Sequence, residues 1–370
     1  WGPILSTLRV VFITSKAHVE KVTKEKGVEA VSLNPMGSGA YKLIEWVPGD
    51  HLTMEANQNW WGGKPAVKTI TFRQISNYAT RVAALLSGEI HIATGLPVRD
   101  VKRVESNSAT KVTVLDGMRT VNYKFDTTRD VTPGVPDIPN PFKKRKVRMA
   151  MNHAINSEAI IKVVMNGFAR PATQLAGDKH LGWNPTIERL PYDPEKAKQY
   201  IKEAGYANGF DALIRVTTGS HPLEIEVGEA VGEYMKAVGI NTKIEVLTYG
   251  GNRPSVVARI RSDWWMRSSG PGLGLNPEIA MLRRNPVGAF NPGFEVEEPL
   301  QIIKKIDACT TQECMDKLRE EQWDWWHDAQ QIVGVVELFG LMAVNPDAVG
   351  TWNMPIGSPG LSSFEYVEKP

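Results

Sequence analysis

The chain has 370 residues, and its 43 basic and 41 acidic side chains leave a net charge of +2. This length exceeds the ~100–200 residues of a typical domain and predicts two lobes. The balanced charge lacks the basic surplus expected of a nucleic-acid-binding protein. No uninterrupted apolar stretch reaches the ~18 residues that a membrane span needs; the longest, residues 332–344, is interrupted by Gly334, Glu337 and Gly340.

The first third of the chain has the pattern of short mixed elements separated by glycine and proline turns. An apolar stripe predicts a helix over residues 4–30. Val47-Pro48-Gly49-Asp50 has the composition of a hairpin turn. Alternating apolar residues predict strands at 41–46, 51–56, 67–74, 89–93, 111–115 and 120–125, and helical spacing predicts helices at 78–86 and 98–105.

Four prolines between residues 127 and 141 predict a linker rather than a regular element. We place a lobe boundary there. The expected first lobe is residues 1–140, rejoined by 346–370 after the Asn345-Pro346 turn, and the expected second lobe is 141–345.

The second half alternates between the two periodicities, which is typical of an α/β lobe. Asp193-Pro194 has the form of a helix start, with an acidic cap and proline at the first position, and Gly205 ends that helix. Further helices are predicted at 146–165 and 221–238, and strands at 211–217 and 241–247.

Five motifs, in this order along the chain, resemble family 5 of the solute-binding proteins of ABC importers, the oligopeptide, dipeptide and nickel type. The resemblance covers nearly the whole chain; any one motif is weak, but together they are specific. The motifs are MGSGAYKL with EWVPGD (36–50), NWWGGKP (59–65), TRVAALLSGEI (80–90), VRMAMNHAI (147–155) and YDPEKAK with EAGY (192–206).

The resemblance implies two α/β lobes of the periplasmic-binding-protein type II architecture around a hinged cleft. It implies a secreted or lipid-anchored extracytoplasmic monomer that carries a small organic solute to an ABC permease, with no enzymatic activity, cofactor or nucleic-acid partner. Family members usually begin well upstream of Trp1, so we also expect the first lobe to be incomplete and a leader to be absent from this sequence.

The same resemblance directs attention to Tyr249, Trp264, Trp265 and Arg267 as ligand contacts in the second lobe. Peptide binders of the family often carry a Gly-Trp-x-x-Asp run whose aspartate holds an ammonium group, whereas no acid lies here between Asp263 and Glu278. Burying an unpaired ammonium is costly. We therefore expect a neutral or anionic ligand that is peptide-like, sugar-like or carboxylate-bearing. The alternative is a surface arginine beside two core tryptophans.

Weaker candidates lie at predicted strand ends and on one strand face. Ser220 and His221 follow a strand and precede a helix, a position that faces the cleft in open α/β sheets; a helix cap is the alternative. Arg119 and Tyr123 share one face of a predicted strand and are the candidates in the first lobe.

Cys309 and Cys314 are the two cysteines. They are too few for a zinc site, and no metal site is expected. An extracytoplasmic location, which the resemblance implies, suits a local disulfide; two free thiols remain the alternative.

The rival function is a serine-type carboxylic ester hydrolase built on the same scaffold. The sequence has no Gly-x-Ser-x-Gly elbow, and its Ser108–Lys111 pair lies in a polar stretch that is predicted to be a loop. A triad can assemble without a local motif, and seven histidines are available. Ester turnover measured beside ligand screening distinguishes the two functions.

Overall fold

A computed structural model describes residues 14–125, 127, 129–132, 135–174, 183–218, 223–248, 264–269, 297–330 and 332–349. The strands are β1 (Tyr41–Val47), β2 (His51–Ala56), β3 (Thr69–Arg73), β4 (Ile92–Thr94), β5 (Lys111–Phe125), β6 (Val131–Thr132), β7 (Val135–Pro139), β8 (Ala169–Pro171), β9 (Phe210–Thr218), β10 (Ile240–Thr248), β11 (Trp264–Ser269) and β12 (Ile332–Val344).

The helices are α1 (Lys16–Lys26), α2 (Tyr78–Leu86), α3 (Val101–Glu105), α4 (Arg145–Ala154), α5 (Ser157–Val163), α6 (Pro194–Glu203), α7 (Glu224–Ala237), α8 (Glu297–Ala308), α9 (Gln312–Ala329) and α10 (Pro346–Val349). No helix in the described ranges combines the length and the apolar character needed to cross a membrane.

The described chain forms two compact units. Unit one contains residues 14–115 and 341–349, and unit two contains the described residues between 116 and 340. These boundaries differ from the expected ones at 140/141 and 345/346, because β5 and β12 each run from one unit into the other without a break. The proline-rich stretch holds the β6–β7 hairpin within unit two.

Unit one is built around the antiparallel sheet β1-β2-β3. The predicted hairpin turn joins β1 to β2: the Asp50 amide donates to the Val47 carbonyl at 3.0 Å, and Gly49 has a φ of 87° that favours glycine. In the same unit, β4 pairs with the last residues of β12, with Met342 opposite Thr94.

Unit two contains a sheet in the order β10-β9-β11-β5-β12, with β8 also paired to β12. β9, α7 and β10 form a strand–helix–strand unit with parallel strands, which confirms the predicted alternation. Helix α7 lies close to the sheet, since a Cβ atom on Gly228 would meet Val216 Cγ2 at 2.5 Å. The central core residues are Val121, Tyr123, Phe125, Val147, Met151, Ile155, Ile214, Val216, Val231, Met235, Ile240, Val333 and Val335.

The family motif at residues 147–155 has a structural explanation in Arg148. This buried side chain donates to the carbonyls of Phe142 at 2.6 Å and Lys143 at 3.0 Å, and to those of Ala329 at 2.6 Å and Gln330 at 3.0 Å. It therefore satisfies carbonyls at the end of α9, where the helix has no further amide donors. Burial, with a smaller contribution from the charge of Arg145, lowers its pKa to about 10.

Two sequence-based expectations for helices and strands were wrong. The single helix predicted over 146–165 is two helices, α4 and α5, because Ile155 is extended and the Asn156 side chain caps α5 by accepting from the Ala159 amide at 2.9 Å. The two strands predicted at 111–115 and 120–125 form the single strand β5. A helix was predicted over residues 4–30. Residues 4–13 of it lie outside the described residues, and α1 occupies Lys16–Lys26.

Candidate functional site

The predicted ligand-binding run Trp264-Trp265-Met266-Arg267 forms strand β11 in the sheet of unit two. It pairs antiparallel with β5, where Trp264 is opposite Phe125 and Arg267 is opposite Asn122. It also runs parallel to β9, where Trp265 is opposite Arg215. Because β11 has neighbours on both edges, the register fixes which residues of the three strands share a side of the sheet.

One side of this part of the sheet is the core of unit two. Tyr123 and Phe125 on β5 and Ile214 on β9 are at most 1% exposed. Residues directly opposite each other in a sheet face the same side. Trp264, opposite Phe125 and Ile214, therefore occupies a core-side register position.

The other side carries polar residues, and we call it the polar side. Asn122 is buried there, and its Nδ2 donates to the Thr120 carbonyl at 3.3 Å and to Thr120 Oγ1 at 3.2 Å. Trp265 and Arg267 occupy register positions on this side.

Arg215 also belongs to the polar side, and its charge is balanced. The Arg215 Nε donates to a carboxylate oxygen of Glu245 on the neighbouring strand β10, and the Arg215 side chain is 16% exposed. Asn122 contributes a neutral amide to the same side. This combination of an amide and a neutralised ion pair adds no net charge to the polar side.

The remaining predicted site residues stay predictions. Tyr123 lies on the core side with no accessible surface, and burial raises the pKa of its hydroxyl well above the ordinary value; contact with a ligand would require that side to open. Arg119 belongs to β5, but its side chain lies outside the described part of the structure. Ser220, His221 and Tyr249 lie outside the described residues.

Sequence reasoning missed Asn122 and Arg215 as neighbours of the candidate strand. For Asn122 a signal was present, since it is the polar residue between Val121 and Tyr123 in an alternating strand. For Arg215 no local signal exists, because its proximity depends on β11 being inserted between β9 and β5.

Close to the point where β12 leaves unit two, a buried ion pair joins it to β8. Arg170 Nε donates to Glu337 Oε2 at 2.7 Å, and Arg170 Nη2 donates to Glu337 Oε1 at 2.9 Å. The Glu337 side chain is 6% exposed and that of Arg170 is 30% exposed. This two-pronged contact fixes β12 within unit two three residues before the boundary at Gly340.

The structure joins Cys309 and Cys314 in a disulfide across the connection between α8 and α9, with 5.8 Å between their Cα atoms.

We expect protein made in an oxidising compartment to show no titratable thiol under denaturing, non-reducing conditions. The short loop predicts a stabilisation of about 2 kcal/mol by chain-entropy reasoning. Removing both sulfurs, in Cys309→Ser/Cys314→Ser, should therefore lower the denaturation midpoint.

A reduced and denatured sample of the same protein is the control and should titrate two thiols. Two thiols in the non-reduced sample would refute the expected bridge.

Comparison with known proteins gives a consistent family. A sequence model described as bacterial extracellular solute-binding proteins, family 5 Middle, matches residues 4–278. Glutathione-binding protein GsiB from Shigella dysenteriae is 26% identical over 368 residues, covering 95% of this chain and 69% of the relative. GsiB from Escherichia coli O157:H7 is 25% identical over 366 residues, with the same coverage of 95% and 69%.

Solved structures share the fold. The periplasmic binding protein DppA from Helicobacter pylori, in complex with the peptide STSA, has a TM-score of 0.84 at 22% identity and covers 99% of this chain and 70% of its own. NikA from Brucella suis, in complex with Fe(III)-EDTA, has a TM-score of 0.78 at 19% identity, covering 90% and 68%. AgaA from A. tumefaciens R10, in complex with agropinic acid, has a TM-score of 0.75 at 21% identity, covering 96% and 70%.

Proposed function

Because the chain belongs to family 5 of the bacterial extracellular solute-binding proteins, we propose that it captures a carboxylate-bearing organic solute outside the cytoplasm and delivers it to an ABC permease. The family membership gives the transport role. The ligand chemistry rests on one observation, the polar side of the unit-two sheet, where Trp265 is opposite Lys124 and Arg267 is opposite Asn122.

The polar side favours an anion for a physical reason. A binding protein buries most of its ligand, so the charge of the ligand has to be matched in the site. A guanidinium binds a carboxylate in a two-pronged geometry, and a tryptophan ring contributes a flat apolar surface. Glu245 on this side is already engaged by Arg215, and Asp211, a second acid on this side, accepts from Asn241 Nδ2 at 3.2 Å.

The printed names of relatives and structural neighbours agree with this chemistry. They refer to glutathione, a peptide, a metal–EDTA complex and agropinic acid. All of these carry carboxylate groups at neutral pH. We assign Trp265 and Arg267, but not Trp264, to the ligand, because the register puts Trp264 on the core side.

The first test is to identify the ligand. Native mass spectrometry of the protein as purified, followed by thermal-shift screening of peptides, organic acids and sugars, should find a ligand with at least one carboxylate that raises the unfolding midpoint. A best ligand that is a bare metal cation, or an amine without a carboxylate, would contradict the proposal.

A separate activity assay addresses the ester-hydrolase alternative. None of the relatives or neighbours named above is named as a hydrolase. Incubation with chromogenic short-chain esters is expected to give no turnover above the rate of buffer. Saturable ester turnover would favour the enzymatic alternative instead.

A further inference from the structure

A pocket in unit two lies apart from the polar side and shares no residue with it. It opens to solvent at its mouth and has a volume of about 40 Å³, room for roughly three water molecules, so it suits only a small ligand. Its wall combines apolar residues, including Ile187 and Ile332, with the polar residues Asn152, Arg189 and Gln330. An apolar wall with a few converging polar groups is the usual composition of a binding site.

Arg189 gives this pocket an unbalanced positive charge. Its Nη1 donates to the carbonyls of Ala172 at 3.2 Å and Gly334, and its Nη2 donates to the carbonyl of Ile155 at 3.2 Å. No carboxylate pairs with it among the residues that the structure describes. Burial lowers its pKa to about 10, so it is still protonated at neutral pH. Carbonyl dipoles fix the position of the guanidinium but do not cancel its charge.

The neutral amides around Arg189 are held in place by hydrogen bonds. Asn152 Nδ2 donates to Gln330 Oε1 at 2.5 Å. Gln174, which also lines the pocket, donates from Nε2 to the Asn184 carbonyl at 2.6 Å and accepts from the Asn184 amide at 3.1 Å. The wall is therefore ordered before any ligand arrives, which reduces the entropic cost of binding.

One acid, Glu188, also contributes to the wall. It is an exposed residue, so solvent and salt screen its charge, whereas the charge of the partly buried Arg189 is screened less. Of these two charges, Arg189 is therefore the less screened.

We propose that this pocket is a second ligand site that takes a small monocarboxylate with a short apolar tail. The carboxylate neutralises Arg189, and the tail packs against Ile187 and Ile332. One unbalanced guanidinium matches one carboxylate, whereas a dianion would leave an unpaired negative charge in the pocket.

The probe is butyrate, with butyramide and butylammonium as neutral and cationic analogues of the same length, titrated by calorimetry or ligand-observed NMR. Butyrate is expected to bind at least ~10-fold more tightly than either analogue, because only butyrate neutralises Arg189. Equal affinities for butyrate and butyramide would overturn the proposal.

Two variants locate the binding. Arg189→Gln should abolish the preference for butyrate, but it removes three partly buried hydrogen bonds and risks unfolding. Thr173→Trp avoids that risk, because Thr173 is exposed and lines the pocket; the indole should obstruct the mouth and weaken butyrate binding at least ~10-fold while the unfolding midpoint stays unchanged.

Arg267→Ala is the matched control for the other candidate site and should leave butyrate affinity unchanged. Butyrate binding that survives Thr173→Trp, or that is lost in Arg267→Ala alone, would show that butyrate does not occupy this pocket. These outcomes are independent of whether the transported solute binds at the polar side.

Discussion

Glu337→Ala is expected to lower the free energy of unfolding by about 3 kcal/mol, measured by urea denaturation. Removing one member of a buried ion pair costs ~3–5 kcal/mol, because the remaining charge stays in a poorly solvated site. The lower end of that range applies because Arg170 keeps 30% of its side chain exposed. The loss also includes two hydrogen bonds, of 2.7 and 2.9 Å, that connect β8 to β12.

A double variant and a surface pair serve as controls. Arg170→Met/Glu337→Leu removes both charges of this pair and should recover part of the stability lost in Glu337→Ala. Glu89→Ala breaks the exposed Arg73–Glu89 pair, whose side chains are 39% and 56% exposed, and should cost less than ~1 kcal/mol. Equal losses in Glu337→Ala and Glu89→Ala would show that burial of the first pair contributes nothing.

Arg267→Ala is expected to weaken binding of the transported solute at least ~30-fold, measured by calorimetry with the ligand that the screen identifies. Removing one partner of a desolvated charge pair costs ~2–5 kcal/mol, of which ~2 kcal/mol corresponds to a factor of about 30. Arg99→Ala is the control for loss of a positive charge, since the Arg99 side chain is 78% exposed in unit one, and it should leave the affinity unchanged.

The two adjacent tryptophans provide a sharper comparison. Trp265→Ala should weaken binding with little loss of stability, whereas Trp264→Ala should lower the unfolding midpoint, because its register position is on the core side. An affinity that is unaffected in both Arg267→Ala and Trp265→Ala would contradict the proposed site. So would a loss of affinity in Trp264→Ala at unchanged stability.

Local chemistry was enough to predict several elements from the sequence. The turn Val47–Asp50 and the start of α6 at Asp193-Pro194 formed as expected, and the Asp193 side chain accepts from the Lys196 amide at 2.9 Å. Both depend on residues within one turn of chain, so glycine, proline and a capping carboxylate specify them directly. The five ordered motifs likewise indicated the family that the comparisons identify.

The extent of the strands and the sides of the sheet were not available from local patterns. The sequence placed a gap between residues 115 and 120, but pairing with neighbouring strands keeps β5 continuous through that stretch. The two compact units divide at residue 115, within β5 and upstream of the proline-rich stretch, and the expected lobe boundary stays a prediction. Proline composition predicts irregular backbone, whereas a boundary depends on contacts between distant residues.

The sequence by itself determined the family, the alternation of strands and helices, and the presence of aromatic and arginine residues in one short stretch of chain. The tertiary structure alone decided which of those residues lie on the polar side. Trp264 and Trp265 are adjacent and chemically identical, and only the register with Phe125 and Arg215 separates them. The physical reason is that a strand alternates sides at every residue, so pairing partners from remote parts of the chain decide which side is buried.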